Sequence, residues 1–222
     1  MMKVMIKVFI ICLCLVSASV MAAKLGLPPK LPELGTTNQS DLGVREDNIG
    51  LAVGNQVSEF VINDHTGKPT SLTSLQERGK LLVIFYRGGW CPFCNVQIRQ
   101  LTEAWPEFEK RGVIPVLISA DKPDAAALAS SKYEIPFPVL SDSDLIAHNI
   151  FQVTSKLDQK TVEKYKKYGM SLKDWNGKDH NSFAVASAFI VNSAGKVEWA
   201  HSSKDYRKRP SVEQLLTVID GQ

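Results

Sequence analysis

The sequence is short of three things, cysteine, excess charge and long apolar runs, and each shortage removes a class of protein. Four cysteines occur in 222 residues, at Cys12, Cys14, Cys91 and Cys94, and the first two fall in a segment expected to be removed. A structural zinc site takes four ligands. Cys91 and Cys94 could find two more only among the scattered His65, His148, His180 and His201, so no metal and no other cofactor is expected. Basic and acidic residues number 26 and 23, too near balance for the basic stripe of a nucleic-acid binder. The N-terminal apolar run, Val8 to Val16, is well short of the roughly 20 residues of a membrane-spanning helix, and no stable membrane anchor is expected.

That run has instead the order of a secretory signal: Lys3 and Lys7 come first, apolar residues follow, and small residues close it. The expected cut falls after Ala22, with Val20 and Ala22 as the small-pocket residues, and a retained anchor is the alternative. No Leu-small-small-Cys run precedes Cys12 or Cys14, which argues against lipid attachment. Removal of residues 1–22 leaves Cys91 and Cys94 as the remaining cysteines and 24 basic residues against 23 acidic. The mature protein is then expected to be exported, periplasmic or secreted, where a dithiol stays reduced only if something reduces it.

Residues 23–48 are rich in proline, glycine and polar side chains without an apolar period, and read as a linker or a flexible, loosely docked arm. The folded domain is expected over 49–222. Ser58 to Asn63 reads as a strand. Leu81 to Tyr86 is apolar on both faces, as a strand in the centre of an α/β sheet is. Val96, Leu101, Trp105 and Phe108 approximate helical spacing, and Gly112 stands where that helix would end. A strand at 113–119, a helix at 124–133, a strand at 137–140 and a helix at 143–150 continue the alternation, which implies crossovers and a largely parallel sheet. Residues 154–181 read as an insertion with a helix at 161–167. A hairpin over 185–201 and a helix at 211–219 close the chain.

One motif carries chemistry: a buried strand, the turn Arg87-Gly88-Gly89-Trp90, then Cys91-Pro92-Phe93-Cys94 opening a helix. Cysteine reacts as thiolate, and a helix N-terminus lowers its pKa from about 8.5 into the range of roughly 3.5 to 7.5. Cys91 falls at that end, Pro92 suits the first turn, and Cys94 is one turn further on, within reach for a small disulfide. On this reading Cys91 attacks and Cys94 resolves. A structural disulfide here would enclose too short a loop to staple anything. The histidines read as surface or hydrogen-bonded residues.

The stretch from Ile49 to Cys94, with FPVLSDSD, YKKYGMSLKDWNG and DYRKR (Asp205 to Arg209), resembles the peroxiredoxin-like branch of the alkyl hydroperoxide reductase and thiol-specific antioxidant superfamily. The resemblance spans Ile49 to Ile219. It implies a thioredoxin-like α/β fold, with a central mixed sheet flanked by helices and an insertion before the C-terminal hairpin. It also implies reduction of peroxides or disulfides by thiols. Two departures stand out. Peroxiredoxins carry Pro-x-x-x-Thr-x-x-Cys; aligned so, Cys94 takes the peroxidatic place, Cys91 replaces the Thr and Arg87 the Pro, whereas alignment with thioredoxins makes Cys91 the attacking residue. Ala186 stands where thioredoxins have a cis-proline and many peroxiredoxins an arginine. Arg87 could supply the missing charge to thiolate and peroxide, or be a surface residue.

Three functions follow. The first is a thiol-dependent peroxide reductase of the thioredoxin-dependent type, cycling Cys91 and Cys94 to a disulfide that an exported thiol reductant reopens. The second is a thiol-disulfide oxidoreductase acting on protein disulfides. The third is a redox-responsive binding module, using Tyr165, Tyr168 and Trp175 of the insertion as a partner surface.

Overall fold

The run that is apolar on both faces becomes the middle of a sheet covered on both sides. The computed structural model describes residues 32–221; the expected signal segment and the start of the arm lie outside them. In chain order the strands are β1 (Gly35–Thr36), β2 (Val61–Asp64), β3 (Pro69–Ser71), β4 (Lys80–Phe85), β5 (Val113–Ser119), β6 (Val139–Ser141), β7 (Thr154–Lys156), β8 (Ser182–Ala184), β9 (Ala186–Val191), β10 (Val197–Ser203) and β11 (Lys208–Arg209). The helices are α1 (Leu72–Gln76), α2 (Pro92–Glu103), α3 (Trp105–Glu109), α4 (Pro123–Tyr133), α5 (Ile146–Ile150), α6 (Gln159–Lys167), α7 (Leu172–Asn176) and α8 (Val212–Asp220).

Seven strands make the main sheet in the order β10-β9-β4-β5-β6-β2-β3. The pairs β4/β5 and β5/β6 are parallel, as the strand-helix alternation requires, and the outer pairs are antiparallel, so the sheet is mixed. Alternation along β4 splits the core in two. Leu81, Val83 and Phe85 join Phe151 and Phe189 on one face, while Leu82 and Ile84 join Cys91, Cys94, Ile98 and Leu215 on the other. The dithiol therefore belongs to the hydrophobic layer under α2 and α8.

Three local departures from the sequence reading have clear causes. The expected helix through Phe108 breaks at Ala104 into α2 and α3, because Pro106 has no N–H to continue the ladder and its ring crowds the preceding turn. The strand expected from Ser58 begins only at Val61, since the chain before it serves α1: Phe60 O accepts from Leu72 N at 3.0 Å, and the Glu59 carboxylate accepts the Thr73 hydroxyl at 2.7 Å. The unforeseen α1 starts on Ser71, whose hydroxyl accepts from Ser74 N at 3.1 Å.

Residues 33–48, read from sequence as part of a flexible arm, lie against the body. β1 pairs in parallel with β11, and Gln214 Nε2 donates to Thr37 O at 2.8 Å. Arg45 Nη1 donates to Gly50 O at 2.5 Å, and the Glu46 carboxylate accepts from Lys204 N at 2.7 Å. The insertion is closed by its own antiparallel pair, β7 with β8, and Asp158 caps α6 by accepting from Thr161 N at 2.8 Å.

Phe85, Phe151 and Phe189 form a triangle with ring centroids 5.1, 5.0 and 6.1 Å apart. Truncating Phe151 to Ala is expected to lower the unfolding free energy by about 3–5 kcal/mol, and Leu128→Ala on the exposed side of α4 by less than about 0.5 kcal/mol. Urea unfolding followed by circular dichroism compares them; equal losses would contradict this placement of the core.

Candidate active site

β4 ends at Phe85, and the chain turns through Arg87 to Trp90 before α2 begins. One glycine makes the turn possible. Gly88 has φ +143°, and a Cβ there would stand 2.8 Å from Asp121 Oδ1 and collide with the Trp90 indole nitrogen. Cys91 N donates to Gly88 O at 3.0 Å, which fixes Cys91 as the N-cap of α2 with Pro92 behind it. Both cysteines are free thiols with no exposed surface.

Their charges are not shared as the helix-end argument expects. Arg209, on β11, is 3% exposed and reaches Cys94: Nη2 donates to Cys94 Sγ at 3.1 Å, Nη1 to Gln97 Oε1 at 2.7 Å and Nε to Tyr206 O at 3.1 Å. Burial works against a thiolate at Cys94. The hydrogen bond from Cys91, the Arg209 charge and the backbone and charge of Arg87 outweigh it and bring Cys94 down to about 6. Cys91 moves the other way, pushed up by donating its proton toward Cys94 and by burial. The Arg209 contact favours the anion on Cys94, since a contacting guanidinium acts more strongly than the end of a helix dipole.

Arg87 is buried rather than a surface charge. Its guanidinium carbon lies 4.1 Å from the Tyr206 ring centroid, 4.6 Å from Phe183 and 4.7 Å from Trp90, and Nη2 donates to the Tyr165 hydroxyl at 2.9 Å. This aromatic box favours a cation. Tyr165, from α6, and Trp175, packed against Gly89, thus point into the protein, whereas Tyr168 is exposed. A cavity of about 340 Å³ borders the box, lined by Ile49, Arg87, Phe183, Val185, Ala186 and Tyr206 among others.

Beneath the turn is Asp121, just past β5 and fully buried. Its Oδ2 accepts from Gly89 N at 2.7 Å, while Oδ1 has no hydrogen-bond partner. Burial pushes its carboxyl up to about 7, against the Gly89 N–H and the nearby Ser119 hydroxyl and with help from the charge of Cys94. Neither Asp121 nor Arg209 was singled out from sequence, although Arg209 closes the DYRKR run. The histidines stand apart: His148 Nδ1 bonds Asp142 at 2.6 Å in the other core layer, and His180 bonds Ser143 O at 3.1 Å. Among the described residues, no three His, Cys, Asp or Glu side chains are grouped to hold a metal ion.

The ultraviolet thiolate absorbance of the reduced protein is expected to appear with a midpoint near 6. Arg209→Gln should raise that midpoint toward an ordinary cysteine's, and a midpoint unchanged in the variant would remove Arg209 from this role.

Comparison with known proteins follows this geometry. The chain is similar to peroxiredoxin Bcp of Escherichia coli (strain K12), 28% identical over 169 residues that cover 76% of this chain and 96% of that one. It is also similar to thiol-disulfide oxidoreductase ResA of Bacillus cereus (strain ZK / E33L), 29% identical over 101 residues, and spans only 57% of that relative's length. Peroxidoxin BcpB from Mycobacterium tuberculosis superposes with a TM-score of 0.61 at 20% identity, covering 77% of this chain and 97% of the other. Prx3 from Vibrio vulnificus does so with 0.62 at 12%, covering 76% and 99%. These neighbours share the thioredoxin-like fold, a central mixed sheet with helices on both faces. The profile of the AhpC/TSA family matches residues 53–200, and the protein belongs to that family.

Proposed function

We propose that the protein is a peroxiredoxin-type thiol peroxidase in which Cys94 attacks and Cys91 resolves. The observation that carries this assignment is the Arg209 contact, which puts a guanidinium on the Cys94 sulfur and holds it as thiolate near neutral pH. The thiolate attacks the terminal oxygen of a hydroperoxide: an S–O bond forms, the O–O bond breaks, and the alkoxide or hydroxide leaves with a proton. Cys94 is then a sulfenic acid. Cys91 displaces its hydroxyl as water, closing the disulfide, and a dithiol reductant reopens it.

Burial of both sulfurs favours peroxide over a protein disulfide as the oxidant. A molecule of two oxygen atoms needs a much smaller opening than a folded partner, whose disulfide must meet an accessible sulfur. The cavity beside Arg87 offers room for the organic part of an alkyl hydroperoxide. The second reading, a thiol-disulfide oxidoreductase, draws on the CxxC spacing and on the likeness to ResA. We take the reductant to be an exported protein of thioredoxin type, consistent with the signal-like residues 1–22 and a periplasmic or secreted location.

Stopped-flow mixing of the reduced protein with hydrogen peroxide or a disulfide peptide, followed by Trp90 fluorescence, separates the readings. Wild type should react with peroxide well above the rate of a free thiol. Cys94→Ser should lose the reaction entirely. Cys91→Ser should keep the first fast step but fail to turn over. Peroxide reaction at the free-thiol rate, with rapid exchange on the peptide, would leave the oxidoreductase reading standing.

A further inference from the structure

A group the peroxidase chemistry above leaves unused lies beneath the turn that leads into the dithiol. Asp121 is fully buried, one carboxyl oxygen holds Gly89 N–H at 2.7 Å, and the other has no partner. The indole N–H of Trp90, also buried and unpartnered, lines the same space over Gly88. Gly89 in turn accepts from Asn95 Nδ2 at 3.0 Å, in the first turns of the cysteine helix. The turn that presents Cys91 is thus built on this carboxyl.

We propose that Asp121 is the proton-handling partner of the dithiol: it keeps a proton while Cys94 is a thiolate and gives it up as the Cys91–Cys94 disulfide forms. The buried site then carries one negative charge throughout the cycle. The reason is electrostatic. Two anions in a buried space would each lose hydration and repel the other. Among the described residues, Arg209 is the one cation hydrogen-bonded to the Cys94 sulfur, and Arg87 is enclosed by aromatic rings. The titratable groups facing Asp121 are Cys94 on α2 and the Tyr86 phenol after β4, which burial keeps neutral. Lys122, next in the chain, turns to Asp124 at 3.3 Å.

The protons balance. Before reaction the site holds a Cys91 thiol, a Cys94 thiolate and a neutral Asp121. Attack on ROOH forms the S–O bond, breaks the O–O bond and releases RO⁻, which leaves as ROH with a proton from solvent; Asp121, no longer beside an anion, gives its own proton to solvent as the disulfide forms. Cys91 sulfur then forms the S–S bond, the S–O bond breaks, and the Cys91 proton leaves with the hydroxide as water. The oxidised site holds the disulfide and an Asp121 carboxylate. A reductant dithiol, oxidised to its own disulfide, returns both electrons; Cys91 and Asp121 each regain a proton. Asp121 acts on the reacting sulfurs by charge, as a positioning residue.

The proposal rests on Cys91 and Cys94 being a redox pair, but not on peroxide being the oxidant. The test therefore poises the protein in a thiol-disulfide buffer and follows the reduction potential against pH around neutrality. Wild type should take up two protons per two electrons, and Asp121→Asn, which keeps an acceptor for Gly89, should take up one. The infrared difference spectrum of wild type should lose a protonated-carboxyl band on oxidation that the Asn variant never shows. A wild-type uptake of one proton, equal uptake in both proteins, or a carboxyl band unchanged by oxidation would overturn the proposal. Peroxide kinetics that fail while the proton count holds would count against the peroxidase reading alone.

Discussion

The guanidinium of Arg209 against the sulfur of Cys94 is the interaction on which the rest of this site depends. A buried thiolate is unfavourable in an apolar layer, and here it is surrounded by Ile98, Leu101 and Leu215 of the same core cluster. A buried arginine is just as unfavourable without partners. Each makes the other tolerable, and two further guanidinium donors are taken by Gln97 and the Tyr206 carbonyl. The arrangement is thus a charged pair set within the core, with its geometry fixed by α2 on one side and β11 on the other.

The local half of this site was legible in the sequence. A buried strand, a two-glycine turn and a cysteine at a helix start are contiguous, so their spacing alone places Cys91 at the N-cap and Cys94 one turn on. The reading that favours Cys91 as the attacking sulfur is local in the same way. It used only the helix dipole, the one electrostatic effect visible in a local stretch. Arg209 lies 115 residues from Cys94 in the chain, and nothing in DYRKR distinguishes it from Arg207, which pairs with Asp205 at the surface. Asp121 was hidden in the same way, since a single acid after a strand gives no sign of which turn will settle on it.

Fold class was more readable than boundaries. The two-sided apolar strands and the helix alternation led directly to β4, β5 and β6, and the 185–201 hairpin to β9 and β10. What patterning missed were pieces set by a few local groups, namely α1, the break at Pro106 and the particular partners of residues 33–48. Polar composition describes those last residues well, but composition is silent on what a backbone pairs with once two strands of two residues meet.

That pairing ties the beginning of the described chain to its chemistry. Thr37 N donates to Arg209 O at 3.2 Å, and Gly35 N to Arg207 O at 2.9 Å, so the strand bearing the arginine is braced by a segment some 170 positions earlier in the sequence. A shortened fragment beginning at Ile49, where the apolar pattern starts, would keep the sheet, the helices and both cysteines and still lose the support of Arg209, the cation that contacts the Cys94 sulfur. The unit that must be produced intact for thiol reactivity is therefore larger than the unit that patterning alone would cut out.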